Sequence, residues 1–177
     1  MKHYGDVCAV DTLSFTVMEG EIFGLIGPNG AGKSTTINIL STLDAYTSGS
    51  VEIAGMNIES HAREVKAILG IVPQEIAVYP HLSALENVKF FASLYGLKGA
   101  ALRKAAEEAL AFVGLSEKAK MKPKQMSGGM KRRLNIACGI AHNPKLIIMD
   151  EPTVGVDAQS RDHILHSIQV LRERGAT

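Results

Sequence analysis

The sequence has no tryptophan, only two cysteines and almost no excess of charge, and each shortage excludes a class of protein. Cys8 and Cys138 are too few and too far apart for a disulfide framework or a zinc site, so we interpret both as buried thiols in a reducing compartment. The formal net charge of +1 leaves no strongly basic surface, so no nucleic-acid partner is expected. No apolar run approaches the roughly 20 residues of a membrane-spanning helix, so any membrane contact is expected through a partner.

What is present suits one α/β domain. The chain has 177 residues, 46% of them hydrophobic, which is enough for a core of its own. Alternation of apolar and polar residues predicts a half-buried strand at 13–17, and the apolar run EIFGLI at 21–26 predicts a strand buried on both faces. A helix from residue 32 or 33 to about 43 and a short strand near 51–53 follow.

The pattern then becomes helical, and we expect a helical subdomain at approximately 76–143. Ser83 and Glu86 form a capping box for one helix, and a second helix covers about 102–113. A third helix follows the letters SGG and ends at NP. KLIIMD then predicts another buried strand, and Gly175 closes a last helix.

The stretch GPNGAGKST has the pattern of a phosphate-binding loop, G-x-x-x-x-G-K-[ST], between a predicted strand and a predicted helix. Its glycines let backbone N–H groups point at phosphates, Lys33 adds positive charge, and Ser34 offers a hydroxyl to Mg²⁺. The alternative is a glycine-rich turn that only joins strand to helix, but a chance match has odds on the order of one in a hundred. The predicted nucleotide-binding residues here are Gly27, Pro28, Asn29, Gly30, Ala31, Gly32, Lys33, Ser34 and Thr35.

Two acids at the end of the strand KLIIMD supply what such a loop lacks. Asp150 is placed to hold Mg²⁺ through its water shell, and Glu151 is placed to orient or deprotonate an attacking water. The alternative is a pair of surface carboxylates at a strand end, which is common in isolation but improbable beside a phosphate loop.

The stretch QMSGGMKRR places a serine and two glycines at the start of a helix, and this is a second potential anion cradle. GPNGAGKST, MSGGMKRR and IIMDEPT, in this order, resemble the nucleotide-binding domain of ABC transporters over nearly the whole chain. The resemblance implies a P-loop NTPase (RecA-like) core with an antiparallel β subdomain and a helical insertion. It also implies that ATP and Mg²⁺ bind, and that two copies pack head to tail so that Ser127, Gly128 and Gly129 contact the ATP of the partner. Without the other motifs, Ser127 would only be expected to cap the helix.

The resemblance extends to three further residues. Gln74 in GIVPQE matches a glutamine that contacts Mg²⁺ or water and marks a hinge between the core and the helical part. Tyr4 stands where an adenine-stacking aromatic is expected, although a tyrosine near a terminus is often just partly exposed packing. Asp157 matches an aspartate at the dimer interface, and it is also a good N-cap for the last helix.

The sequence departs from the family pattern in two places. Met126 and Met130 replace the leucine and glutamine that commonly flank Ser-Gly-Gly. The chain also ends at Thr177, before the strand that would carry a switch histidine, and no histidine present matches that position. We therefore expect a C-terminally truncated domain, with a gap in the sheet between the strands that lead to Gly27 and Asp150.

The resemblance predicts a subunit that dimerises on ATP, hydrolyses it with Glu151, Gln74 and Lys33, and holds Mg²⁺ with Ser34, Gln74 and Asp150. Such a subunit energises transport through membrane-embedded permease subunits at the cytoplasmic face of the membrane. The run VYPHLSALENVKFFASLYGL is most similar to subunits that serve exporters of drugs, lipids or polysaccharides. Two alternatives stay open: a truncated module that binds nucleotide without turnover, and a soluble ABC-type ATPase that acts in DNA repair or on ribosomes.

Overall fold

A computed structural model describes all 177 residues as a mixed α/β structure. The strands are β1 (Lys2–Tyr4), β2 (Val7–Val10), β3 (Glu52–Ile53), β4 (Met56–Asn57), β5 (Leu69–Val72) and β6 (Leu146–Met149). The helices are α1 (Lys33–Leu40), α2 (Ala62–Ile68), α3 (Ala84–Leu94), α4 (Gly99–Phe112), α5 (Gly128–Ile140) and α6 (Ala158–Glu173). No helix combines the length and the apolarity needed to cross a membrane.

The strands form three separate pairs. β1 pairs with β2 and β3 pairs with β4, both antiparallel, while β5 and β6 are parallel. The parallel register runs from Leu69 opposite Leu146 to Val72 opposite Met149. Because parallel neighbours end at the same edge of a sheet, the segments that follow β5 and β6 are brought together.

The main core lies where α3, α4, α5 and α6 pack around one another and against β5 and β6. Helix α5 approaches β5 closely enough that both elements need glycine. A Cβ added to Gly139 would lie 2.8 Å from Val72 Cγ2 and 2.9 Å from the Ile71 carbonyl oxygen. A Cβ added to Gly70 would lie 2.6 Å from the Gly139 carbonyl oxygen. This contact fixes α5 directly behind the end of β5.

Local signals in the sequence predicted several helix ends correctly, although α4 starts at Gly99 rather than near 102. Ser83 Oγ accepts from the amide of Glu86, and the Glu86 carboxylate accepts from the amide of Ser83, so the predicted capping box of α3 is present. Gly175, with φ 89°, follows the last helix as predicted. The first helix ends at Leu40 rather than near 43, because Ser41 caps it and Thr42 takes a left-handed φ of 57°.

The predicted strand at 21–26 is wrong as a buried sheet strand. Its only backbone hydrogen bond runs from the Glu21 amide to the Met18 carbonyl, and Ile26 is 94% exposed. An apolar run is buried only where neighbouring strands cover it, and no strand pairs with this one. The predicted strand at 13–17 also makes no ladder, although Phe15 stacks on Phe23 with ring centroids 5.1 Å apart.

The two cysteines differ, and the prediction that both are buried is wrong for one of them. Cys138 lies in the core on α5, and burial raises the pKa of its thiol to about 12. Cys8 is exposed on β2, because that strand pairs only with β1 and nothing covers its outer face.

Candidate active site

The phosphate-loop segment has the backbone conformations that its glycines allow. Gly30 and Gly32 have φ of 83° and 82°, in the left-handed region that other residues rarely adopt. A Cβ on Gly32 would also overlap the Ala9 carbonyl oxygen and lie 3.0 Å from Val10 Cγ2, so β2 passes directly behind the loop. Pro28, Asn29 and Ala31 are exposed, and Thr35 is half-buried in the first turn of α1.

The Lys33 ammonium lies over this loop and forms no salt bridge. Its Nζ donates to the carbonyl oxygens of Gly27 and Pro28, each at 2.7 Å. No acidic residue lies in the first turn of α1, and Ser34 is exposed there. An ammonium with no carboxylate partner and the positive end of a helix dipole therefore coincide, which is the electrostatics that a phosphate group requires.

Gln74 and Glu151 meet at the shared edge of β5 and β6. The Asp150 amide donates to the Val72 carbonyl oxygen at 3.0 Å, which carries the ladder to the ends of both strands. Gln74 Nε2 then donates to Glu151 Oε2 at 2.7 Å, across 77 positions of sequence. Glu151 has φ 46°, a strained conformation for a residue other than glycine, and such strain is common at functional sites.

Two polar residues of α5 that the sequence did not single out contact the main chain around Gln74. Arg132 is 6% exposed and Asn135 is 3% exposed, and both donate to the Pro73 carbonyl oxygen. Nothing in the sequence of α5 marks these two side chains as buried; only the structure shows that they lie among buried residues, where polar groups need partners.

The Ser-Gly-Gly element starts α5. Ser127 is the N-cap, and its Oγ accepts from the Met130 amide at 3.2 Å, so the capping role is present. Gly128 has space for a Cβ, whereas a Cβ on Gly129 would overlap the Ser160 hydroxyl of α6. Gly129 is therefore required for packing, and the contact of Ser127, Gly128 and Gly129 with a partner's nucleotide stays a prediction.

Asp157 caps α6 beside this element. Its carboxylate accepts from the Ser160 amide and the Ser160 hydroxyl, both at 2.8 Å, and these hydrogen bonds lower its pKa. The capping role proposed as the alternative is thus present, and the dimer-interface role stays a prediction.

Tyr4 lies on β1 and is 49% exposed. Its hydroxyl donates to the Asp44 carboxylate, and this hydrogen bond raises the pKa of Tyr4. Lys2 Nζ lies 4.5 Å from the centre of the ring and 2.7 Å from Asp44 Oδ1. A cation thus lies over one face of the ring, and base stacking at Tyr4 stays a prediction.

The structure joins some predicted site residues and not others. It brings Gln74 to Glu151, but no hydrogen bond or salt bridge links Lys33 or Ser34 to Asp150 or Glu151. The physical reason is that residues 21–26, which lead into the phosphate loop, pair with neither β5 nor β6.

Comparisons with known proteins agree with the motifs. The "Linearmycin resistance ATP-binding protein LnrL" of Bacillus subtilis (strain 168) is 51% identical over 176 residues, which are 99% of this chain and 57% of that protein. The "Nod factor export ATP-binding protein I" of Paraburkholderia xenovorans (strain LB400) is 41% identical over 176 residues, 99% of this chain and 58% of that protein. The chain thus spans a little over half the length of these curated relatives.

A solved structure supports the same assignment. The dimeric post-hydrolysis state of the ATP-binding cassette MJ0796 bound to ADP and Pi superimposes with a TM-score of 0.84 at 34% identity, covering 96% of this chain and 77% of that one. The family described as "ABC transporter" matches residues 10–154. Because this match covers well over half of the sequence, the chain belongs to the ABC transporter family.

Proposed function

We propose that this chain binds ATP with Mg²⁺, dimerises on ATP, hydrolyses it and thereby energises transport through a membrane-embedded partner. The observation that carries the proposal is the hydrogen bond from Gln74 to Glu151 at the shared edge of β5 and β6. It joins the carboxylate that we propose as the base to the amide that we propose as the orienting group, and the left-handed Gly30 and Gly32 of the phosphate loop support substrate binding there.

The proposed reaction is in-line attack of water on the γ-phosphate of ATP, which breaks the bond from the γ-phosphorus to the bridging oxygen and releases ADP and phosphate. Lys33 would exchange its contacts with Gly27 and Pro28 for phosphate oxygens, and its charge would stabilise the transition state. Glu151 would accept the proton of the attacking water once Gln74 no longer occupies that carboxylate oxygen.

Mg²⁺ would be held by Ser34, Gln74 and Asp150, whose hydroxyl, amide and carboxylate oxygens are the ligand types that this ion prefers. When bound with ATP, the ion neutralises charge on the phosphates. Ser34 supports this assignment, since its side chain is exposed in the first turn of α1.

A second copy would complete each site. Ser127, Gly128 and Gly129 lie at the N-terminus of α5, and in a head-to-tail dimer they would contact the partner's γ-phosphate beside Asp157. The dimeric ADP-bound and Pi-bound neighbour supports this arrangement. We also propose that the chain is a single nucleotide-binding domain with its helical subdomain at about 76–143.

The names of the relatives support export as the transport direction. One relative is named for linearmycin resistance and another for Nod factor export. We therefore propose a peripheral position at the cytoplasmic face of the membrane, bound to permease subunits that export a drug, lipid or polysaccharide.

The test is light scattering and nucleotide retention of the Glu151→Gln variant with and without Mg-ATP. Removing the base should let ATP bind without being consumed, so a dimer should accumulate only with nucleotide. Glu108→Gln is the matched control, because it makes the same change on the exposed face of α4. Nucleotide retained without phosphate release by the unmodified chain would support the module without turnover. Failure of the unmodified chain to bind nucleotide would refute the proposal.

A further inference from the structure

The main chain on both sides of Gln74 is held by one side chain of α5. Asn135 Nδ2 donates to the carbonyl oxygen of Pro73 at 3.1 Å and to that of Glu75 at 3.4 Å. Its Oδ1 accepts from the Ala77 amide at 3.1 Å. A single side-chain amide thus bonds to the residue before Gln74, to the residue after it, and to Ala77 two residues further along the chain.

Arg132 also holds the main chain next to Gln74. Its Nη1 donates to the Pro73 carbonyl oxygen at 3.1 Å, so that oxygen accepts from both Arg132 and Asn135 and uses both of its lone pairs. Arg132 Nε is buried and has no partner. An unpaired buried donor is unfavourable, so packing alone does not explain an arginine at this position.

A different asparagine holds the next part of the loop between β5 and α3, at residues 79–83. Asn87 of α3 is fully buried, and it bonds to the amide and carbonyl of Tyr79 and to the carbonyl oxygens of Leu82 and Ser83. Each asparagine therefore holds one part of the loop 73–83: Asn135 holds the part that contains Gln74, and Asn87 holds the part that leads into α3.

We propose that Asn135 and Arg132 are positioning residues for ATP hydrolysis, which hold the segment 73–77 to α5 and so determine whether Gln74 bonds to Glu151. This inference rests on the proposed ATPase function. The side chain of Gln74 is exposed, so its own surroundings do not orient it, and the restraint comes from the main chain. Ser127 caps helix α5, so the residues proposed to contact a partner's ATP and those that hold Gln74 belong to the same helix.

The experiment compares Asn135→Leu with Asn87→Leu, because each variant removes a buried amide that holds one part of the loop 73–83 between β5 and α3. The measurements are kcat for phosphate release, the Kd for Mg-ATP, and hydrogen–deuterium exchange at the amides of Ala77 and Tyr79. Asn135→Leu should lower kcat roughly tenfold or more, because Gln74 would no longer be held where it can orient the attacking water. It should leave the Kd nearly unchanged and accelerate exchange at Ala77. Asn87→Leu should accelerate exchange at Tyr79 and leave kcat close to that of the unmodified chain.

Arg132 provides a second test in which folding is less affected. Arg132→Lys keeps a donor for the Pro73 carbonyl and loses nothing at Nε, since that atom has no partner, so it should retain kcat. Arg132→Met removes the donor together with a buried charge, so it should lower kcat while the melting temperature stays close to that of the unmodified chain.

Equal effects of Asn135→Leu and Asn87→Leu on kcat would overturn the proposal, as would an unchanged exchange rate at Ala77 in Asn135→Leu. If the unmodified chain releases no phosphate, the proposed function fails by itself. The exchange data then still decide whether Asn135 holds the segment.

Discussion

Replacing Gly139 by alanine tests the contact on which the arrangement of the site depends. Gly139 lies in α5 where the helix crosses β5, and the new methyl group would meet the Ile71 carbonyl oxygen at 2.9 Å and Val72 Cγ2 at 2.8 Å. Neither atom can turn away, because one belongs to a paired strand and the other to a fully buried side chain. The helix must therefore move away from the strand.

The expected size of the effect follows from two opposing terms. Alanine favours the helix over glycine by about 1 kcal/mol, whereas overpacking a buried site costs about 1 to 3 kcal/mol. Because the atoms met are rigid, we expect the upper part of that range and a net loss of about 1 to 2 kcal/mol. For a chain of this size, each kcal/mol lowers the melting temperature by about 2 to 4 °C.

The assay is thermal and urea unfolding followed by circular dichroism, with Gly128→Ala as the control. Gly128 is in the same helix, but a Cβ there lies 3.9 Å from the Gly155 carbonyl oxygen, an ordinary contact. Gly139→Ala should melt lower than both the unmodified chain and Gly128→Ala. A Gly139→Ala protein as stable as Gly128→Ala would show that α5 and β5 are not in this close contact, and the proposed link from α5 to Gln74 would lose its basis.

Two titratable groups give further predictions. Burial lowers the pKa of His142, whose ring stacks on that of Tyr95 with the centroids 3.4 Å apart, below its ordinary value of 6.5. The unfolded chain therefore takes up its proton first, and the free energy of unfolding should fall as the pH drops below about 6.5. His142→Phe should make the free energy of unfolding, measured in urea, depend less on pH between pH 7 and 5. The pKa of His163 is also lowered, but His163 is present in the variant and in the unmodified chain. An equal pH dependence in the two would contradict the assignment to His142. Cys8 should react at once with a thiol reagent at pH 8, whereas Cys138, with a pKa of about 12, should react only after unfolding, and two fast thiols in the native protein would count against this core.

The elements that the sequence predicted correctly are those whose causes lie within a few residues. The capping box of Ser83 and Glu86 joins two side chains one turn apart, and it forms without help from the rest of the fold. The left-handed glycines of the phosphate loop are equally local, because the sequence pattern itself requires those conformations. The cap of α5 by Ser127 is of the same kind.

The elements that the sequence did not predict depend on partners far along the chain. The apolar run at 21–26 has the composition of a buried strand, but burial needs neighbours, and composition does not identify them. Likewise, Asn135 bonds to Ala77 across 58 positions, and nothing local to α5 marks that amide as anything but a polar residue in a helix.

The position of the Ser-Gly-Gly element at the start of α5 has a mechanical consequence. This helix has 13 residues and is about 20 Å long, and it is fixed at three places along its length. Gly129 packs on α6 at one end, Asn135 holds the segment of Gln74 in the middle, and Gly139 lies on β5 near the other end. Because Asn135 joins this helix to the segment of Gln74, a small shift of the N-terminus of α5 against a partner's ATP would carry Gln74 with it. In the proposed dimer, such a shift would release the carboxylate oxygen of Glu151 while Asn135 still holds Gln74 at the site, so the anion cradle proposed at Ser127, Gly128 and Gly129 would make hydrolysis depend on nucleotide bound across the interface.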